Sequence, residues 1–254
     1  METTVQKKVP TSLGGSFGNG WDVMSKNFLV LLLVVIVVAI ASFPAQFVGM
    51  GFDANNMHFD DWGNFEFFDS AVMALGMFAV IAGIISLAYS LLVVPVFSFG
   101  SKMMFVQAVR AEKPEFETLI VGFRKNYLHI VLANVLVGAL VVMGFIFLIV
   151  PGIIVACRLT FVPYLVIDKG LDPIAAVEES WKMTKGHGWT VFGMAVLSFF
   201  IAILGLILCF IGILPAIMWI SSSFASLYEG IQAERNIESQ SEPSGALDAD
   251  LVKE

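Results

Sequence analysis

The chain has 254 residues, of which 58% are hydrophobic and only 14% charged, and its mean hydropathy is +0.86. An ordinary soluble domain is about 45–50% apolar and about 25% charged, so this composition excludes a water-surrounded globule. A net charge of −7 and a pI near 5.0 exclude the basic footprint that nucleic acid requires.

Residues 1–27 form a polar lead carrying Lys7, Lys8 and Lys26. An apolar run follows at 28–50, and others occupy 70–99, 127–150, 152–167, 189–210 and 211–228. A helix needs about 20 residues to cross the hydrocarbon layer. The pattern predicts an all-α, polytopic transmembrane bundle with six crossings, the inner turns falling at Pro151-Gly152 and around Gly212 and Pro215. Four crossings with re-entrant pieces is the alternative, because those turns are so short. A signal peptide cleaved near Ala39-Ile40-Ala41 is a weaker reading, since the lead contains Asp22 and the apolar run continues past the site.

The charges give an independent test. Lys102, Arg110, Lys113, Arg124 and Lys125 lie between the second and third runs, and Lys169, Lys182 and Lys185 between the fourth and fifth. Arg235 and Lys253 lie in the tail, while residues 51–69 carry five acids and no Lys or Arg. Cytoplasmic loops collect Lys and Arg. Both termini are expected in the cytoplasm of a bacterial inner-membrane protein, with 51–69 outside as a short lid or partner contact containing Phe59, Trp62, Phe67 and Phe68. The segment 231–254 is rich in acids and poor in apolar pattern, and is expected to be a disordered cytoplasmic tail.

The inner segments have a pattern of their own. Phe17, Trp21, Met24 and Phe28 recur at helical spacing, as do Phe116, Ile120, Phe123 and Tyr127. Val177, Trp181 and Thr184 follow less completely. Such spacing lays one apolar stripe along a short helix. The chain therefore reads as three repeats of an interfacial amphipathic helix followed by a transmembrane hairpin. Trp21, Lys26, Lys125, Trp181, Lys182 and Lys185 are the basic and aromatic residues expected at the headgroups, where cations favour anionic lipid and aromatic rings favour the interface. The same cations could serve only to orient the chain.

Arg158 is the sharpest single feature, placed near the middle of the fourth run. A central arginine costs about 2.5–3.5 kcal/mol on insertion scales, so it requires a partner. No acid lies within the apolar runs, which leaves Asn134, His129, Thr160, Ser198, backbone carbonyls or a lipid phosphate. One reading makes Arg158, with Asn134 and His129, an anion or headgroup contact. The other makes it a structural residue tying helix ends together. The absence of intramembrane acids weakens the case for a proton-coupled transporter. Cys157 and Cys209 lack metal spacing and read as apolar packers, and the three histidines form no ligand pair. Gly14-Gly15-Ser16-Phe17-Gly18 fits a hydrolase elbow in letters only, because no strand precedes it. No catalytic, cofactor or metal site is expected.

Leu148-Ile149-Val150-Pro151-Gly152, Arg158, Phe161 to Asp168 and Pro173 to Lys182 together resemble the membrane domain attached to some glycerophosphoryl diester phosphodiesterases, and related bacterial six-helix membrane proteins. In those larger proteins the chemistry belongs to a separate soluble barrel, so the resemblance implies a membrane module without catalytic residues. The function expected is a non-enzymatic module touching membrane lipids or another membrane protein. The alternative is a small transporter or lipid-translocating protein with Arg158 lining its path.

Overall fold

The structure, a computed structural model, describes residues 11–51, 70–124, 126–207 and 212–241. Among them every regular element is a helix: α1 (Leu13–Lys26), α2 (Phe28–Gly51), α3 (Ser70–Leu92), α4 (Val94–Val109), α5 (Glu117–Arg124), α6 (Tyr127–Phe147), α7 (Ile149–Arg158), α8 (Val162–Lys169), α9 (Pro173–Met183), α10 (Gly188–Ile207) and α11 (Ile213–Ser241). Four stretches are long and apolar enough to cross a membrane: Val80–Val109, Tyr127–Phe147, Ile149–Lys169 and Gly188–Ile207. The pair α1 and α2, bent by 95° at Asn27, is a fifth if counted as one span.

Local chemistry sets the boundaries. The Ser12 hydroxyl caps α1 by accepting the Gly15 N–H, and Pro95, Pro163 and Pro173 occupy the first turns of α4, α8 and α9, where a missing N–H costs nothing. After α4, Ala111 takes a left-handed φ of 61° and the Glu112 N–H returns to the Gln107 carbonyl, closing the helix end. After α8, Gly170 also takes a left-handed conformation, with φ 64°.

Three boundaries differ from the sequence reading. The second apolar element does not run unbroken over 70–99. It pauses at Val93, restarts at Val94-Pro95 and continues to Val109, taking Lys102 into the span. The turn expected at Pro151-Gly152 falls at Leu148, which is extended (φ −171°, ψ 156°), while Pro151 sits in the first turn of α7. Gly152 instead permits close approach: a Cβ there would lie 3.0 Å from the Phe145 Cα, and one on Gly144 would lie 3.0 Å from the Gly152 Cα. The stretch after this turn that is long and apolar enough to cross a membrane is Ile149–Lys169, broken after Arg158. Third, residues 231–241, expected as tail, continue α11, because Ile231 is fully buried and Glu234 and Arg235 find partners. The expected lid within 52–69, Lys125, Cys209 and the tail from 242 lie outside the described residues.

The short helices expected before three of the long ones are present as α1, α5 and α9. α1 lies across α11. A Cβ on Gly20 would clash with the Ser223 Oγ and lie 2.8 Å from the Ser223 Cα, the Trp219 indole N–H donates to the Phe17 carbonyl (3.0 Å), and Asn19 donates to Ser226 (3.1 Å). Phe17 and Met24 are buried there, whereas Trp21 keeps half its surface and Lys26 is exposed. On α5, Leu119 is buried, Ile120 is exposed, and Phe123 packs edge-on against Phe97 of α4 (centroids 5.6 Å) and stacks on Tyr127 (6.0 Å); Phe116, just before the helix, is exposed. On α9 the inner face is Ala176, Ser180 and Met183, displaced from the expected Val177–Trp181 stripe.

Burial is uneven along the long helices. Tyr228, Phe161, Leu165, Met104, Ile130 and Ile231 are fully or almost fully buried. At the other end Ile146, Phe147, Leu148, Ile149 and Val150 are each 66–78% exposed. At that apex the Leu148 N–H donates to the Gly144 carbonyl and the Gly152 N–H to the Leu148 carbonyl (both 3.2 Å). Such a run of exposed apolar side chains suits hydrocarbon and would be unfavourable in water.

Candidate functional site

The polar groups gather where the long helices begin and end. Arg110 caps the C-terminus of α4 and is the centre of one cluster. Its Nη1 and Nη2 donate to the two Asp168 oxygens at 2.8 Å each, a fork-to-fork pair at the end of α8. Nη2 also lies 2.8 Å from the Glu229 Oε1 of α11, to which Nε donates at 3.0 Å. The Tyr228 hydroxyl donates to the Asp168 Oδ2 (2.9 Å), and its ring stacks on Tyr164 with centroids 5.1 Å apart. The Asp168 side chain is only 9% exposed and that of Glu229 18%. Burial opposes the charge on Arg110, yet the bonds and charges of Asp168 and Glu229 outweigh it and hold the guanidinium pKa above its ordinary value. For Glu229 burial prevails over Arg110, and its carboxyl pKa is raised. Every strong donor of this cluster is engaged within the protein, so its chemistry is that of a clamp joining α4, α8 and α11.

The expected trio of Arg158, Asn134 and His129 is not one site. Arg158 ends α7 at the break before α8, where its guanidinium lies over the Trp181 ring (5.5 Å) and its Nη1 is 3.5 Å from the Trp181 carbonyl. The Ser180 hydroxyl donates to the Arg158 carbonyl at 2.7 Å. Arg158 therefore fastens α9 to the α7–α8 break. The His129 Nε2, on α6, lies 2.9 Å from the Asp172 Oδ1 just before α9. Asn134 is half-buried further along α6. The Thr160 hydroxyl donates to the Ala156 carbonyl, and among the described residues the buried Ser198 Oγ has no partner.

Lys102 is a second cation that the sequence placed in a loop. Its Nζ lies between the Phe99 and Tyr164 rings at 5.9 and 5.6 Å, and among the described residues no carboxylate pairs with it.

A third group lies where the end of α9, the Lys185–His187 turn and the extension of α11 meet. Lys182, Lys185, His187, Glu234 and Arg235 line a cleft of about 280 Å³, closed below by Met183 and Ile231. The His187 Nε2 lies 3.2 Å from the Glu234 Oε2, and Arg235 pairs with Glu179. Lys182 and Lys185 are exposed and in no ion pair among the described residues. Trp181 and Trp189 flank the cleft in sequence and are also exposed, Trp189 by 86%. The sequence singled out Trp181, Lys182 and Lys185, but missed the contribution of Arg235 and Glu234, which it assigned to the tail.

Among the described residues no group of His, Cys, Asp or Glu side chains could hold a metal ion. No family model matches the chain, and neither a search of curated proteins nor one of solved structures finds a match.

Proposed function

We propose that the chain is a non-enzymatic inner-membrane module of six crossings, built as three units of interfacial helix plus hairpin, which contacts lipid headgroups through its cationic inner layer. One observation carries this reading: the chain returns to the same polar layer after each apolar excursion. Arg110 at the end of α4, Asp168 at the end of α8 and Glu229 of α11 meet in one cluster. The starts of α6 and α10 are tied to that layer by His129–Asp172 and His187–Glu234, and α1, leading into α2, lies across α11. Departure and return on one side require an even number of crossings. The gathering of Lys and Arg on that side supports a cytoplasmic location for it, by the distribution of cations across membranes, with residues 51–69 on the other side. The likeness of 148–182 to the phosphodiesterase-associated membrane domain agrees with a module lacking chemistry of its own. Arg158 is engaged at the helix break by the Trp181 ring and carbonyl, which supports a structural role for it rather than a place in a path.

Topology reporters test it. Alkaline phosphatase fused after residue 60 should be active, and green fluorescent protein fused at the C-terminus should fluoresce. An inactive phosphatase at residue 60 together with a dark C-terminal fusion would overturn the arrangement.

A further inference from the structure

The cleft between α9, the Lys185–His187 turn and α11 has features that the clamp at Arg110 lacks. Its two lysines are exposed and in no ion pair among the described residues, whereas the clamp's guanidinium is consumed by two carboxylates. Lys182, Lys185 and Arg235 bring three permanent positive charges, opposed by Glu234 and Glu179, so an anion entering the cleft meets a net positive field. Among the described residues Arg235 spends Nη1 on Glu179 and keeps the rest of its guanidinium, and the buried His187 Nδ1 has no hydrogen-bond partner. A volume of about 280 Å³ falls at the lower edge of ligand pockets, roughly 300–1,000 Å³, which suits a phosphate with a small substituent better than a nucleotide. The exposed indoles of Trp181 and Trp189, on the residues adjoining this cationic run, match the aromatic belt at headgroup depth.

We propose that this cleft binds a phosphate group, supplied in the bilayer by the phosphodiester of an anionic lipid headgroup. Lys182 and Lys185 provide the entering charge and Arg235 the planar donor, while Glu234 and Glu179 hold His187 and Arg235 in place. The proposal rests on the reading that this end of the bundle lies at the headgroups, and it names the residues and the ligand chemistry of that contact.

Native mass spectrometry of the full-length protein, with added phosphatidylglycerol or phosphatidylcholine, tests it. Lys182→Gln/Lys185→Gln is the cleft variant. Lys113→Gln/Lys169→Gln, exposed cations outside the cleft lining, makes the same change of net charge elsewhere. The wild type and the control should retain phosphatidylglycerol over phosphatidylcholine, and the cleft variant should lose that retention by roughly tenfold or more, as expected for two cations removed near a headgroup. An unchanged melting curve would show that the cleft variant is folded. Displacement of the lipid by inorganic phosphate would support a site satisfied by phosphate from either source; resistance to it would support the lipid source. Equal retention by cleft variant and control would overturn the site while leaving the wider reading intact. A wild type without preference for phosphatidylglycerol would overturn both.

Discussion

Arg110→Met removes the centre of the clamp and leaves Asp168 and Glu229 facing each other without a cation. Breaking a buried pair from one side costs about 3–5 kcal/mol. Here the Arg110 side chain keeps 27% of its surface, and screening at such exposure reduces the loss to about 2–3 kcal/mol. For a protein of this size each kcal/mol corresponds to about 2–4 °C in melting temperature, so a fall of about 4–12 °C is expected. Asp168→Asn keeps the shape but loses the two-pronged pair and weakens the Tyr228 bond, and should cost about 1.5–3 kcal/mol. Because both changes remove the same contact, the double variant should be less damaged than the sum, with a coupling of at least about 1 kcal/mol. Melting of the purified protein in one detergent, followed by far-ultraviolet circular dichroism, gives all four corners of this cycle. Additive losses, or Arg110→Met melting with the wild type, would refute the claim that this triad joins α4, α8 and α11.

Two further substitutions probe other parts of the fold. Gly20→Leu should detach α1 from α11, since a Cβ at that position would already lie 2.8 Å from the Ser223 backbone; the expected signature is faster proteolysis within residues 11–27, and wild-type protection there would contradict the packing. Lys102→Met should leave melting unchanged or raise it by about 1–2 °C, because the ammonium has only the rings of Phe99 and Tyr164 against its desolvation; a fall above about 5 °C would mean that Lys102 meets an unrecognised carboxylate or lipid phosphate.

Helix content was legible because apolar runs near 20 residues admit little else in lipid, and the short helices were legible from their 3–4 spacing. The turn at Leu148 was not. Proline and glycine mark a break in many contexts, yet Pro151 fits the first turn of α7 and Gly152 serves the contact with Phe145. The end of α11 was missed for a related reason. Its charged residues suggested solvent, while Glu234 and Arg235 are paired across to His187 and Glu179, 47 and 56 positions earlier in the chain. Pairing over such separations leaves no local trace.

The same limitation explains Arg158 and Arg110. An arginine inside an apolar run attracts notice because its local cost is visible, whereas Arg110 sat among other loop cations and looked interchangeable with them. The structure reverses their weights. Arg158 lies at a helix break, where the Trp181 ring and carbonyl meet its charge at an exposed edge. Arg110 engages two partly buried acids from helices separated by more than 50 residues. The hydrophobic effect cannot select among helix arrangements inside lipid, since the surroundings are as apolar as the side chains. Directional bonds at the polar ends can, because each has a fixed geometry and few alternative partners. On that argument the apolar runs determine that the chain enters the membrane, and the cluster of Arg110, Asp168, Tyr228 and Glu229 determines which helix ends stand together.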